Sequence, residues 1–140
     1  MRSLWDRALQ IARRAHAGQV DKGGRPYIEH PIAVAAMVDT EREKAAALLH
    51  DVIEDSGVTA EQLEAEGIDP DVIRAVVALT KTGEPYDRYL ERVKADAIAR
   101  PVKIADLRHN MDLSRMGKEP DQRDLERLDK YRKALQYLTT

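Results

Sequence analysis

Residues 45–55 read AAALLHDVIED, and this run decides the fold class. Ala and Leu are strong helix formers, and nothing here alternates apolar with polar as a half-buried strand would. At 100° per residue, with His50 at zero, Glu54 falls at about 40°, Asp51 at about 100° and Asp55 at about 140°. Ala45, Leu48, Leu49, Val52 and Ile53 take the opposite arc. The pattern predicts one helix over about 42–55, ending near Gly57. The plain reading of its polar side is a solvated face. Two features oppose that reading. Three carboxylates crowd the last turn, where the helix dipole is already negative, and no Lys or Arg lies between Lys44 and Arg74 to balance them. A His beside an Asp also offers a nitrogen and an oxygen donor to one cation.

Working outward, apolar residues at helical spacing and punctuation by Gly and Pro predict further helices. One covers about 4–17, with a capping box at Ser3 and Asp6. After a loop over 19–29, Pro31 opens the next, carrying Ile32, Val34, Ala35, Met37 and Val38. Thr59 and Gln62 form a second capping box for a short helix that closes at Gly67, and Asp69-Pro70 starts another through Leu79. Helices over about 86–94, 102–113 and 121–138 complete the chain. The expectation is all-α, a single compact helical domain over residues 1–140, with a core of Ala, Leu, Val, Ile and Met because Phe is absent.

Composition narrows the function classes. With 34% charged residues of both signs and net charge −2, there is no basic footprint for nucleic acid or an anionic membrane surface. Without Cys, disulfides and zinc–thiolate sites are excluded. The N-terminal residues carry no apolar signal-peptide core, and no run is long enough to span a bilayer. A cytoplasmic location is the expectation.

Two more stretches carry chemistry. Residues 102–113 read VKIADLRHNMDL, with apolar side chains pointing in nearly every direction, as in a helix buried on most sides. Asp106 and Asn110 stack one turn apart there, flanked by Lys103. A buried carboxylate is costly unless paired or metal-bound, so an ion pair with Lys103 or Arg108 is the structural alternative. His30 stands at a loop-to-helix junction before Pro31, where a lone His is ordinarily a capping or surface residue.

Taken in order, AHAGQVDKGGRPYIEHP (15–31), AALLHDVIED (46–55) and VKIADLRHNM (102–111) resemble the hydrolase domain of the RelA/SpoT alarmone enzymes and their small stand-alone relatives, within the HD superfamily. The resemblance covers about residues 4–116. It implies an all-α HD domain in which His30, His50, Asp51 and Asp106 coordinate one divalent ion, usually Mn²⁺. It also implies that Glu54 and Asp55 are the acidic pair that positions or deprotonates the attacking water. Asn110 and Lys103 would lie on the substrate side, with Lys22 and Arg25 neutralising outer phosphates. The implied reaction releases pyrophosphate from the 3′ position of guanosine 3′,5′-bis(diphosphate).

Three positions depart from the family pattern, all on the substrate side. Asp21 stands where an Arg usually precedes the loop Lys, ADLRHN replaces the usual ADRLHN, and Asp112-Leu113 replaces Arg-Thr. Two alternatives therefore stay open: an HD hydrolase of another nucleotide phosphate, and a nucleotide-binding regulatory module without turnover. The charged run 121–132 reads as a solvated helical face, with a homo-oligomer surface as the alternative. His16 reads as a structural polar residue, and His109 as a neighbour of the site or a surface residue.

Overall fold

The computed structural model describes residues 2–21, 23–112 and 119–140. Nine helices and no strand occur among these residues: α1 (Leu4–Ala15), α2 (Glu29–Ala36), α3 (Glu41–Leu49), α4 (Val52–Ser56), α5 (Ala60–Ala65), α6 (Pro70–Leu79), α7 (Tyr86–Ala95), α8 (Ala99–Asn110) and α9 (Gln122–Thr139). The fold is all-α, as the sequence indicates. An isolated bridge between Val20 and Pro26 pinches the first loop.

Local chemistry sets most boundaries. The capping boxes at Ser3–Asp6 and Thr59–Gln62 are formed, and Asp69 caps α6 with Pro70 at its start. Thr40 and Glu43 make a further box that starts α3 at Glu41. Two starts fall earlier than expected. α2 begins at Glu29, so His30 lies in its first turn. α8 begins at Ala99 because Asp96 Oδ1 accepts the amides of Ile98 (2.9 Å) and Ala99 (2.8 Å). Pro101 then sits in the first turn, where its missing N–H leaves no bond unmade. α8 ends at Asn110; Leu113, its expected end, lies outside the described residues.

α3 is the axis of the molecule. Residues 45–49 are all fully buried, and α1, α2, α6 and α8 pack around them. This differs from the one-sided face expected from the helical wheel. Lys44 at the base of α3 donates to the carbonyls of Ala35 (3.1 Å) and Val38 (2.8 Å), capping the end of α2.

The single helix expected over 42–55 is two helices, and the break has a physical cause. His50 Nδ1 donates to the Ala47 carbonyl at 2.6 Å, and the His50 amide reaches the same oxygen at 3.4 Å. In a continuing helix that carbonyl would accept the Asp51 amide. The chain turns instead through Asp51, at φ −108° and ψ −1°, and resumes as α4. Gly57 closes α4 with φ 74°, a left-handed position suited to glycine.

Replacing Leu48, fully buried in α3, by Ala is expected to cost about 2–5 kcal/mol of stability, measured by urea denaturation at equal slope.

Candidate metal centre

Three helices deliver donors to one point. His30 comes from the first turn of α2, His50 from the end of α3 and Asp106 from the middle of α8; one ligand atom of each lies within 4.8 Å of the others. All three are buried, at 5%, 4% and 5% exposure. His30 Nε2 is 2.8 Å from Asp106 Oδ1 and His50 Nε2 is 3.3 Å from the same oxygen. Asp51, the fourth expected donor, stands at the edge of this cluster with Oδ2 3.0 Å from His50 Nε2. Its other tether is the Tyr27 hydroxyl, which donates to Oδ2.

Each donor is held from behind. His50 is fixed through Nδ1 by the Ala47 carbonyl. His30 Nδ1 lies 2.6 Å from His109 Nδ1, with the two rings stacked at 4.8 Å. Asp106 receives Lys103 Nζ on Oδ2 and Asn110 Nδ2 on Oδ1, both at 3.1 Å. The Lys103–Asp106 ion pair that the sequence offered as the structural alternative therefore exists inside the cluster.

The donor set fits a cation. Because Nδ1 of His50 already donates, Nε2 of the neutral ring presents only a lone pair. That nitrogen is buried and makes no hydrogen bond, yet two carboxylate oxygens face it at 3.0 and 3.3 Å. Three acceptors around one point repel unless a positive charge lies among them, either a cation or a proton on the His50 ring. The titration tendencies show how strongly the two carboxylates draw such a charge to that point. Burial alone would lower His50, but Asp51 and Asp106 outweigh it and raise its pKa well above the ordinary value. Burial would raise both carboxyls. His50 instead holds Asp51 at about 2, while Lys103, His30 and His50 hold Asp106 far below the carboxylate range.

The cluster forms the floor of a cavity of about 540 Å³, within the range of small-ligand sites. Its lining carries both signs, with Asp51, Glu54 and Asp55 beside Lys81, Lys103 and Arg127. Arg127 pairs with Asp124 of the same lining at 3.7 Å. Glu54 Oε1 accepts the Lys81 amide at 2.9 Å, tying α4 to the loop after α6. Burial, followed by Asp51 and Glu54, raises the Asp55 carboxyl.

A family model described as HD domain matches residues 8–136. The chain belongs to the HD domain family. Curated relatives include a guanosine-3′,5′-bis(diphosphate) 3′-pyrophosphohydrolase of Haemophilus influenzae, 37% identical over 116 residues, which are 72% of this chain and 17% of that protein. A probable GTP pyrophosphokinase of Mycobacterium leprae is 34% identical over 122 residues, 78% of this chain and 16% of that protein. The chain thus spans about a sixth of the length of these relatives. Among solved structures, a metazoan ortholog of SpoT, described as hydrolysing ppGpp, superimposes with a TM-score of 0.78 at 26% identity, covering 96% of this chain and 84% of that one.

Within this HD domain the substrate-side expectations divide. Asn110 and Lys103 line the cavity. Arg25 is exposed and is not among the residues lining it, and Lys22 lies outside the described residues. Asp21 lines the mouth, and its Oδ1 accepts the amides of Gly23 (2.9 Å) and Arg25 (3.0 Å), so the carboxylate shapes the loop. In ADLRHN, Leu107 is fully buried while Arg108 is exposed. His16 is buried, bonded to Gln19 and packed on Tyr27 at 4.8 Å.

Sequence reasoning missed several lining residues, including Tyr27, Lys81, Tyr89, Arg127 and Tyr131. The run 121–132 is not wholly a solvated face, because Asp124, Arg127, Leu128 and Tyr131 of α9 line the cavity. Their spacing of three, four and seven is a helical stripe, a signal that the density of charges obscures. Lys81 carries no local signal. It is placed by the α6–α7 loop, and burial, then Lys103 and Lys130, lower its pKa.

Titrating chelator-stripped protein with Mn²⁺ to one hundred times the dissociation constant should stabilise it by about 2.7 kcal/mol, read as a rise in Tm. The His50→Ala variant should show no such rise.

Proposed function

We propose that this chain is a metal-dependent phosphohydrolase that removes pyrophosphate from the 3′ position of guanosine 3′,5′-bis(diphosphate) or a similar nucleotide. His30, His50, Asp51 and Asp106 are the ligands in this reading. The observation that carries it is the buried, hydrogen-bond-free Nε2 of His50 facing two carboxylate oxygens, in a cavity whose lining also holds Glu54, Asp55, Lys81, Lys103 and Arg127. The HD domain relatives whose names state this hydrolysis support the substrate class. Two imidazoles and two carboxylates without a thiolate suit Mn²⁺.

When bound, the cation supplies Lewis acidity toward the phosphoryl oxygens and the attacking water. The residues of the chain do the rest. Asp55 accepts the proton of that water: it lines the cavity, and burial with the neighbouring Asp51 and Glu54 raises its carboxyl, which favours proton uptake. Glu54 is tied to the Lys81 amide, which suits it to hold the acidic wall in place. The water oxygen bonds to phosphorus, the bond from phosphorus to the ribose 3′ oxygen breaks, that oxygen takes up a proton from solvent to become the 3′ hydroxyl, and pyrophosphate departs. Lys81 and Arg127 offset charge on the phosphates, with Asn110 on the substrate side. Asp21 at the mouth favours a second reading, in which the same chemistry acts on another nucleotide phosphate.

The test is turnover of a nucleotide panel, including the alarmone, by stripped protein with and without Mn²⁺. Metal-dependent pyrophosphate release is expected, with kcat for Asp55→Asn lower by about 10²–10⁴-fold while nucleotide binding persists. Binding of nucleotide to the Mn²⁺-loaded protein without release of product would overturn the enzymatic reading in favour of a regulatory module.

A further inference from the structure

Asp106 and Asp51 are the two carboxylates of the cluster, and they are secured in different ways. Asp106 sits inside α8, where Lys103, Asn110 and the His30 ring reach its oxygens. Asp51 has no such frame. It occupies the turn between α3 and α4 and makes no side-chain cap bond to α4. Among the described residues, the Tyr27 hydroxyl is the one hydrogen-bond donor on its carboxylate. That donor arrives from the loop before α2, 24 positions away.

Tyr27 is itself closely held. Its amide donates to the Gln19 carbonyl at 2.8 Å, and its carbonyl accepts the His30 amide at 3.0 Å. Its ring packs on His16 at 4.8 Å, and Gln19 fixes the His16 ring in turn. The same residue thus ties the backbone of one expected ligand and the side chain of another. The hydroxyl meets Oδ2, the oxygen turned toward His50 Nε2. A carboxylate oxygen has two lone-pair directions, so the hydroxyl uses one and leaves the other for a cation.

We propose that Tyr27 is the positioning residue for Asp51: its hydroxyl fixes the carboxylate so that Oδ2 is presented to the divalent cation beside His30, His50 and Asp106. The inference rests on the reading of these residues as ligands and deepens it, by naming the group that orients the least framed of them. Without the hydroxyl, the Asp51 side chain recovers rotamer freedom that cation binding must then remove, and affinity falls. Tyr27 also lines the cavity. The competing role is therefore a hydroxyl that touches the nucleotide and leaves the cation unaffected.

Tyr27→Phe separates the two roles, because it removes the hydroxyl and keeps the ring on His16. Calorimetry on chelator-stripped protein should show Mn²⁺ affinity weakened by about 10–100-fold. The visible absorption of the Co²⁺-saturated variant should differ from that of the parent, since a ligand oxygen has changed its approach. Affinity within twofold of the parent, or an unchanged Co²⁺ spectrum, would refute the proposal and leave the ligand reading intact. A second measurement needs no variant, so it does not depend on how Tyr27→Phe folds. In Zn²⁺-loaded parent protein, proton NMR should show the Tyr27 hydroxyl as a slowly exchanging signal beside its ring protons. A loaded state without that signal would equally refute it. No nucleotide enters these measurements. A parent that binds none of the three ions would overturn the ligand reading together with this one, whereas binding with the expected weakening but no turnover would sink the hydrolase reading alone.

Discussion

A carboxylate inside a protein is tolerated only when its charge and its lone pairs are answered. Asp106, 5% exposed in the middle of α8, imposes that demand on the whole molecule. Lys103 one turn earlier answers one oxygen, and Asn110 one turn later answers the other. The remaining partners come from elsewhere, His30 from α2 and His50 from the end of α3. Three helices must therefore meet at one depth. α3 can reach that point because its residues 45–49 are small or unbranched enough at Cβ to be surrounded by α1, α2, α6 and α8.

The interruption after Leu49 turns this core into a site. Had α3 continued, Asp51 and the Glu54–Asp55 pair would have stayed on the same face of one helix as His50. The His50 side chain takes the Ala47 carbonyl, the backbone turns, and α4 sets off separately with its acids lining the cavity above the cluster. The same hydrogen bond fixes the ring so that Nε2 faces the two carboxylates. One local contact thus ends a helix, selects a tautomer and directs the acidic wall. His30 is held differently, by the His109 ring rather than by backbone, so the two imidazoles are not equivalent although both point at Asp106.

The cavity lining mixes both signs. Acids from α4 and the turn at Asp51 share it with Lys81, Lys103 and Arg127, which come from the α6–α7 loop, α8 and α9. Lys103 answers Asp106 inside the cluster, and Arg127 pairs with Asp124 of its own helix, while the Lys81 amide is tied to Glu54. Asp21 also lines the cavity, bound to the amides of its own loop.

The amino-acid sequence alone determined the all-α class, the caps at Ser3, Thr59 and Asp69 and the buried nature of α8. Those properties follow from periodicity and capping, which act within one or two turns of chain. The proposed donors His30, His50, Asp51 and Asp106 were legible only through the resemblance of three separate stretches, taken together, to the HD hydrolases. Tertiary structure decided the rest. Nothing local announces that His50 would use its side chain to stop α3, since that depends on the burial of the Ala47 carbonyl among four other helices. Nor does a charged run betray that Arg127 and Tyr131 face a cavity, or that Lys81 shares it, or that His109 backs His30 from 79 positions away. Such pairings are set by where helices cross, and a crossing is a property of packed surfaces rather than of any single stretch.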